Sequence, residues 1–287
     1  MTPCFFVTDL HGRPDRYRKL FAAVAHERPA ALFLGGDLFP HAMHTVREGD
    51  TEYRDFLHEF LIPGFEGLRD ALGSRYPEVF LILGNDDGRA QEEEVNAAAR
   101  RGLWAHMHNR RIDWADHEVY GYAYVPPTPF LLKDWERYDV GRYTPPGGVS
   151  PEEGWRTVAV PPNVTRYATI KDDLDRLAGD RDLGRAIFLF HGPPYDTALD
   201  LAGIAGKKVD HAPLDPHVGS VAIRRFIDRR QPLLTLHGHI HESARLSGSW
   251  RHVLGRTHAF GAAHDGPELA LVRFDPADPA GAVRELL

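Results

Sequence analysis

Sulfur chemistry is nearly missing from this chain. It has 287 residues and a single cysteine, Cys4. One thiol excludes a disulfide scaffold and a cysteine-built zinc or iron–sulfur site. Long apolar runs are missing too. None approaches the roughly 18 residues of a membrane span, so no membrane partner is expected. The start shows no basic segment followed by a long apolar one, and the expected location is cytoplasmic. Positive charge is not in excess. The formal charge is -7, which argues against general nucleic-acid binding, where a basic footprint is expected. There is no internal repeat and no low-complexity tract. Hydrophobic residues at 43% and charged residues at 26% exclude disordered and fibrous classes. The length suffices for a sizeable core.

What the sequence has in quantity is histidine, with 17 residues. Histidine is the usual metal ligand and proton shuttle, so position decides its meaning. Short apolar runs ending in polar residues recur along the chain. Cys4 to His11, Ala31 to Asp37 and Glu78 to Asp87 read as strands. Helical patterns cover Asp15 to His26, Thr51 to Leu61, Phe65 to Tyr76 and Gln91 to Arg101. The alternation points to an α/β layered fold. The second half resumes it, with strands at His117 to Val125, Ala186 to Gly192, Pro232 to His241 and Leu269 to Phe274. Helices are expected at Thr165 to Leu177 and Ser220 to Arg230. Between the halves, about 126–162, lies a proline-, glycine- and aromatic-rich stretch without period. The expectation is one domain over 1–287 carrying this irregular insertion as a long loop or small subdomain in which Phe130, Trp135, Tyr138, Tyr143 and Trp155 pack, with stacking on a base or ring as the alternative.

The strand tips carry Asp9 and His11, Asp37, Asn85, His191, His239 and His241. Imidazole, carboxylate and amide oxygen all suit a borderline divalent metal. Taken singly, each has a plainer reading. Asp9, Asp37 and Asn85 stand where turns and helix caps use such residues. The string His237–Gly238–His239–Ile240–His241 is harder to read that way. Strand alternation would aim Asp9 with His11 and His239 with His241 as pairs. In open α/β sheets the carboxyl ends of the strands form the binding edge. Seven such residues at five edges could hold two metals with one bridging carboxylate.

The order Asp9-x-His11, Gly36–Asp37, Gly84–Asn85, His191, Gly238–His239-x-His241 resembles the calcineurin-like metallophosphoesterases. His191 to Asp200 and His217 to Ser220 look like a prokaryotic branch of that family with poorly defined substrates. The resemblance implies a four-layer α/β/β/α sandwich with two central mixed sheets. It implies that Asp9, His11 and His241 hold one metal, that Asn85, His191 and His239 hold a second, and that Asp37 bridges them. It also implies a phosphoester hydrolase in which a water between the two ions, manganese among the candidates with iron, zinc, nickel and cobalt, attacks phosphorus.

Two departures stand out. Many family members have histidine after the motif asparagine, where it protonates the leaving oxygen; this chain has Asp86. An aspartate beside two cations is a poor proton donor. That favours small or cyclic phosphodiesters over alkyl monoesters, unless His217 or His237 supplies the proton. The second acidic residue that often follows Gly-Asp is also missing from Gly36–Asp37–Leu38–Phe39–Pro40. His41 and His44 read as surface or lid residues. Arg100–Arg101 and Arg110–Arg111 read as a solvated helix end and loop. Lys207–Lys208 reads as an exposed loop, with phosphate contact as the alternative. Arg224, Arg225, Arg229 and Arg230 suit a helix C-terminus. Tyr195 and Asp200 stand near His191 as further lining candidates. A nuclease, a metal-bearing module without turnover and an amidase remain competing functions. Nucleic acid is the less favoured partner, and the oligomeric state is open.

Overall fold

A computed structural model describes residues 3–40, 53–209 and 211–287. His41, His44 and the start of the helix expected from Thr51 lie outside the described residues. The first half runs β1 (Cys4–Val7), α1 (Pro14–Glu27), β2 (Ala31–Gly35), α2 (Ile62–Leu72), β3 (Glu78–Ile82), α3 (Glu92–Arg100), β4 (Ala105–His106), β5 (Arg110–Trp114) and β6 (His117–Tyr122). The second half runs α4 (Pro162–Tyr167), α5 (Ile170–Ala178), β7 (Ala186–Phe190), β8 (Lys208–Val209), β9 (Ala212–Pro213), α6 (Val221–Arg230) and β10 (Leu234–His237). It ends with α7 (Ser243–Ser247), β11 (Arg251–Leu254), β12 (Thr257–Gly261), β13 (Ala270–Asp275) and β14 (Asp278–Leu286).

Two six-stranded mixed sheets form the centre, ordered β14-β13-β1-β2-β3-β4 and β11-β12-β10-β7-β6-β5. In the first, β1 to β4 run parallel and β13 joins β1 antiparallel. In the second, β6, β7, β10 and β12 run parallel, with antiparallel edges β5 and β11. β1, β2, β7 and β10 are buried at every position, as expected of parallel strands covered on both faces.

Aromatic contacts define the layers. Phe33 and Phe80 of the first sheet meet Trp114 of the second, and Phe274 meets Phe260 across the same interface. On the outer face of the second sheet, Phe188 packs on Phe226 of α6, which pairs with α5. On the outer face of the first, Arg273 of β13 lies over Phe5 and pairs with Glu27 at the end of α1. The result is the expected four-layer sandwich. Among the described residues, no helix is long and apolar enough to cross a membrane.

Three expectations change. The helix expected at Thr165 to Leu177 is two helices, broken at Ala168 in extended backbone. Thr169 restarts it, because its hydroxyl accepts from Asp172 N while Ile170 N is held by the Tyr138 carbonyl. Arg110 and Arg111 lie on strand β5 rather than in a loop, and Arg111 pairs with Glu118 across the hairpin. In the insertion, Trp135 and Tyr138 are buried, but Phe130, Tyr143 and Trp155 are exposed at 56%, 65% and 45%. The insertion closes on polar groups instead. Lys133 and Glu136 form a fully buried ion pair, and Asp134 binds Arg89 N and Thr157 N.

Candidate metal centre

Each of the seven strand-tip residues follows the C-terminal end of a parallel strand. Asp9 and His11 follow β1, Asp37 follows β2 and Asn85 follows β3. His191 follows β7, and His239 and His241 follow β10. Both sheets therefore feed one edge. The pairing is not produced by strand alternation, since β1 ends at Val7 and β10 at His237. The chain instead turns sharply. Asp9, His11, Asp37 and His239 have φ of 55°, 48°, 51° and 75°. Left-handed backbone costs a non-glycine residue roughly 1–2 kcal/mol and concentrates at functional sites. Hydrogen bonds hold the turns: Asp9 N donates to Gly36 O at 2.9 Å and His11 N to Asp37 O at 2.8 Å.

The side chains converge in two sets. Asp9, His11, Asp37 and His241 place donor atoms within 4.8 Å of one another, as do Asp37, His191 and His239. Asp37 belongs to both. Asn85 joins the second set through Oδ1, 2.9 Å from His191 Nε2. His191 Nδ1 donates to the Gly35 carbonyl at 2.8 Å, which turns Nε2 toward Asn85 and Asp37. His11 Nε2 and His241 Nε2 lie 3.0 Å apart, and His241 Nε2 lies 3.2 Å from Asp9 Oδ1. Space is kept for the carboxylates. A Cβ on Gly84 would fall 2.2 Å from Asp37 Oδ1, and one on Gly238 would fall 2.6 Å from Asp9 Oδ2.

The electrostatics fit a cation. Burial would raise Asp37, but His191 and His11 outweigh it and hold the carboxyl well below its usual range. Burial would lower His191, yet Asp37 and Asp9 raise it to about 10. His241 is raised to about 9, since Asp9 and Asp37 overcome its burial. His239, buried and facing His191, is pushed down to about 4 and keeps a lone pair. Two buried carboxylates that can hold two imidazoles charged make a field suited to divalent ions, and the nitrogen and oxygen donor set suits borderline metals.

Several supporting residues were not singled out from the sequence. Asp87 is fully buried and accepts from Leu38 N, Phe39 N and Gly84 N at 2.9–3.1 Å. It supplies from the β3 loop the second carboxylate missing after Asp37, and its only sequence signal was a second acid beside Asp86. Arg16 reaches from α1 to the Asp9 carbonyl at 2.6 Å, with no motif to mark it. Asp86 sits at the rim, its N–H donating to Asp37 Oδ1 at 2.8 Å and its carboxylate 3.7 Å from His11 Nδ1.

The catalytic candidate His217 is not brought into this cluster: its polar contacts are with Asp196, Asp200 and Asp215. His237 is buried, with Nδ1 against the Gly192 carbonyl and its ring flat on Phe190. Arg100, Arg101, Arg111 and Arg229 are paired with acids away from the site. Lys207 and Lys208 are exposed at the β8 turn.

Similarity to known proteins agrees with this geometry. The sequence model for calcineurin-like phosphoesterases matches residues 2–243. Protein TT1561 of Thermus thermophilus is 15% identical over 99% of this chain and 98% of its own, with a TM-score of 0.55. A dimetal phosphatase from Danio rerio is 12% identical over 94% of this chain and 91% of its own, with a TM-score of 0.53. At such identities these two likenesses speak for the fold alone. Among curated proteins none matches the chain. With the family model spanning both donor sets and nearly every strand between them, the chain belongs to the calcineurin-like phosphoesterase family.

Proposed function

We propose that this protein is a dinuclear-metal-dependent phosphodiesterase acting on a small or cyclic phosphodiester. The observation that carries the reading is the pair of donor sets sharing Asp37. Asp9, His11 and His241 would hold one ion, Asn85, His191 and His239 the other, and Asp37 both. Two divalent ions held there would supply Lewis acidity for an in-line displacement at phosphorus. The chain's own residues keep the donors in place. Asp86 N fixes one oxygen of Asp37, Gly35 O fixes the His191 ring, and His239 N holds Asp9 at 3.1 Å. The diester preference rests on Asp86. It stands at the rim, where similar proteins carry a proton-donating histidine, and a carboxylate beside cations donates poorly. Diesters and aryl esters ask less of a proton donor at that position than alkyl monoesters do.

The test is a paired assay on manganese-loaded protein, with bis(4-nitrophenyl) phosphate against 4-nitrophenyl phosphate at equal concentration. The expected result is faster diester cleavage, reduced at least about 100-fold in Asp37→Asn, the upper end of losses for outer-shell partners of a metal. Faster monoester cleavage overturns the diester preference. Full activity in Asp37→Asn overturns the bridging role.

A further inference from the structure

A second constellation lies between the chain segments that leave the two histidine-bearing strands. Asp200 is fully buried. Its carboxylate accepts from Asp196 N and Thr197 N at 2.9 Å and from Gly219 N at 3.1 Å. Its remaining partner is His217 Nδ1 at 2.8 Å. A carboxylate already receiving three amides accepts from the imidazole, so Nδ1 carries a hydrogen and the ring orientation is fixed. The backbone N–H of His217 is tied to Asp215 at 2.9 Å. The side chain of His217 is 28% exposed, with Nε2 directed away from Asp200 and 3.9 Å from the exposed Asp196 carboxylate.

The segment carrying this pair is fastened at two points to chain that carries candidate ligands. Ser220 N donates to Pro193 O at 2.9 Å, and Tyr195 N donates back to Ser220 O at 3.0 Å. Pro193 is two residues past His191. Leu201 bridges His217 antiparallel, and two residues on, Gly203 N donates to Glu242 Oε1 at 3.0 Å. Glu242 is the neighbour of His241. His217 is thus strung between anchors that lie two residues past His191 and one past His241. His237, the other histidine near the centre outside the donor sets, has no such outlook, being 1% exposed and stacked on Phe190.

We propose that His217, oriented by Asp200, is the proton donor to the oxygen that leaves phosphorus. The assignment rests on the phosphoesterase reading and not on the diester preference: it supplies the donor that Asp86 does not, so with His217 in that role alkyl monoesters lose the handicap argued from Asp86. The bond between phosphorus and the leaving oxygen breaks with its electron pair kept by that oxygen. The Nε2 proton of His217 passes to it. Water contributes its oxygen to phosphorus and releases a proton to solvent, and neutral His217 recovers one from solvent, so the sum is hydrolysis. The surroundings favour the charged ring. Burial lowers His217, but the Asp200 hydrogen bond and the charges of Asp196 and Asp215 outweigh it and raise it above the ordinary imidazole value. Tyr195 packs edge-on at 6.1 Å, and its hydroxyl is committed to Asp215. Arg224 is turned to the Tyr195 and Asp196 carbonyls, and His252 to Ala198 N.

The experiment compares leaving groups in wild type, His217→Gln and Asp200→Asn, all manganese-loaded, using diphenyl phosphate and bis(4-nitrophenyl) phosphate. A proton donor is worth about 10²–10⁴-fold where the leaving oxygen is basic and little where its anion is stable. His217→Gln should therefore lose about 100-fold or more on diphenyl phosphate and less than about 10-fold on the nitrophenyl ester. The alkaline fall of the wild-type diphenyl rate should disappear with it. Histidine NMR on the metal-free protein should show His217 titrating above an ordinary imidazole and dropping in Asp200→Asn. Equal losses on both esters, no loss on either, or an ordinary His217 titration overturn the assignment and leave the phosphoesterase reading standing. Cleavage of neither ester by metal-loaded wild type overturns both.

Discussion

Four of the seven candidate ligands sit in left-handed backbone, and two glycines, Gly84 and Gly238, stand against their side chains. That combination explains why the residue types were readable and their geometry was not. The ligand identities were open to reading because imidazole, carboxylate and amide recur at strand tips in one order. Their convergence depends on tight turns beyond the strands, and a positive φ at Asp9 or His239 leaves no mark in the sequence. Asp87 and Arg16 were illegible for a related reason. They act on backbone atoms of distant segments, so no spacing announces them. Gly84 gives the test at this scale. Gly84→Ala pushes a methyl against Asp37 Oδ1 and the Asp37 backbone nitrogen, and manganese affinity by equilibrium dialysis should fall about 10–100-fold or more, with circular dichroism reporting how far the backbone yields. Gly67→Ala on α2, where a methyl meets nothing within 4 Å, should leave affinity unchanged.

Among elements, the insertion departs furthest from the sequence reading. Aromatic content suggested a small apolar core, yet Phe130, Tyr143 and Trp155 remain largely in solvent. The segment is held by Lys133–Glu136, by Asp134 on Arg89 and Thr157, and by Asp139, which receives Val221 N and Ala222 N at the start of α6. A buried ion pair need not outperform an apolar pair of the same shape, but half of one is costly. Lys133→Met should cost about 3–5 kcal/mol in urea unfolding, whereas Lys133→Met with Glu136→Leu should recover most of that loss. Equal stability of the single variant and wild type would show that the pair is not closed from water. Edge strands were also hard to read. β5, β11 and β14 carry charged, half-exposed residues, and their pairing partners rather than their own pattern make them strands.

At the scale of the whole molecule, the buried parallel strands were legible because both faces are covered and the runs are apolar throughout. The strand order within the two sheets was not, since periodicity says nothing of which strand lies beside which; the family resemblance implied only the four layers and the two mixed sheets. The metal centre takes donors from both sheets and so ties them at one edge. Cys4 turns that tie into something observable. It lies wholly buried on β1, five residues before Asp9, and burial pushes its thiol up to about 12. A thiol reagent cannot reach it until the central strand leaves its sheet, so the lone sulfur is a clock for opening of the sandwich. Manganese should slow labelling of wild type by mass action, about 100-fold when the ion is 100 times its dissociation constant. In Asp37→Asn the clock should run at nearly the same rate with and without metal. In this protein, a residue with no part in the chemistry keeps time for the site that has it.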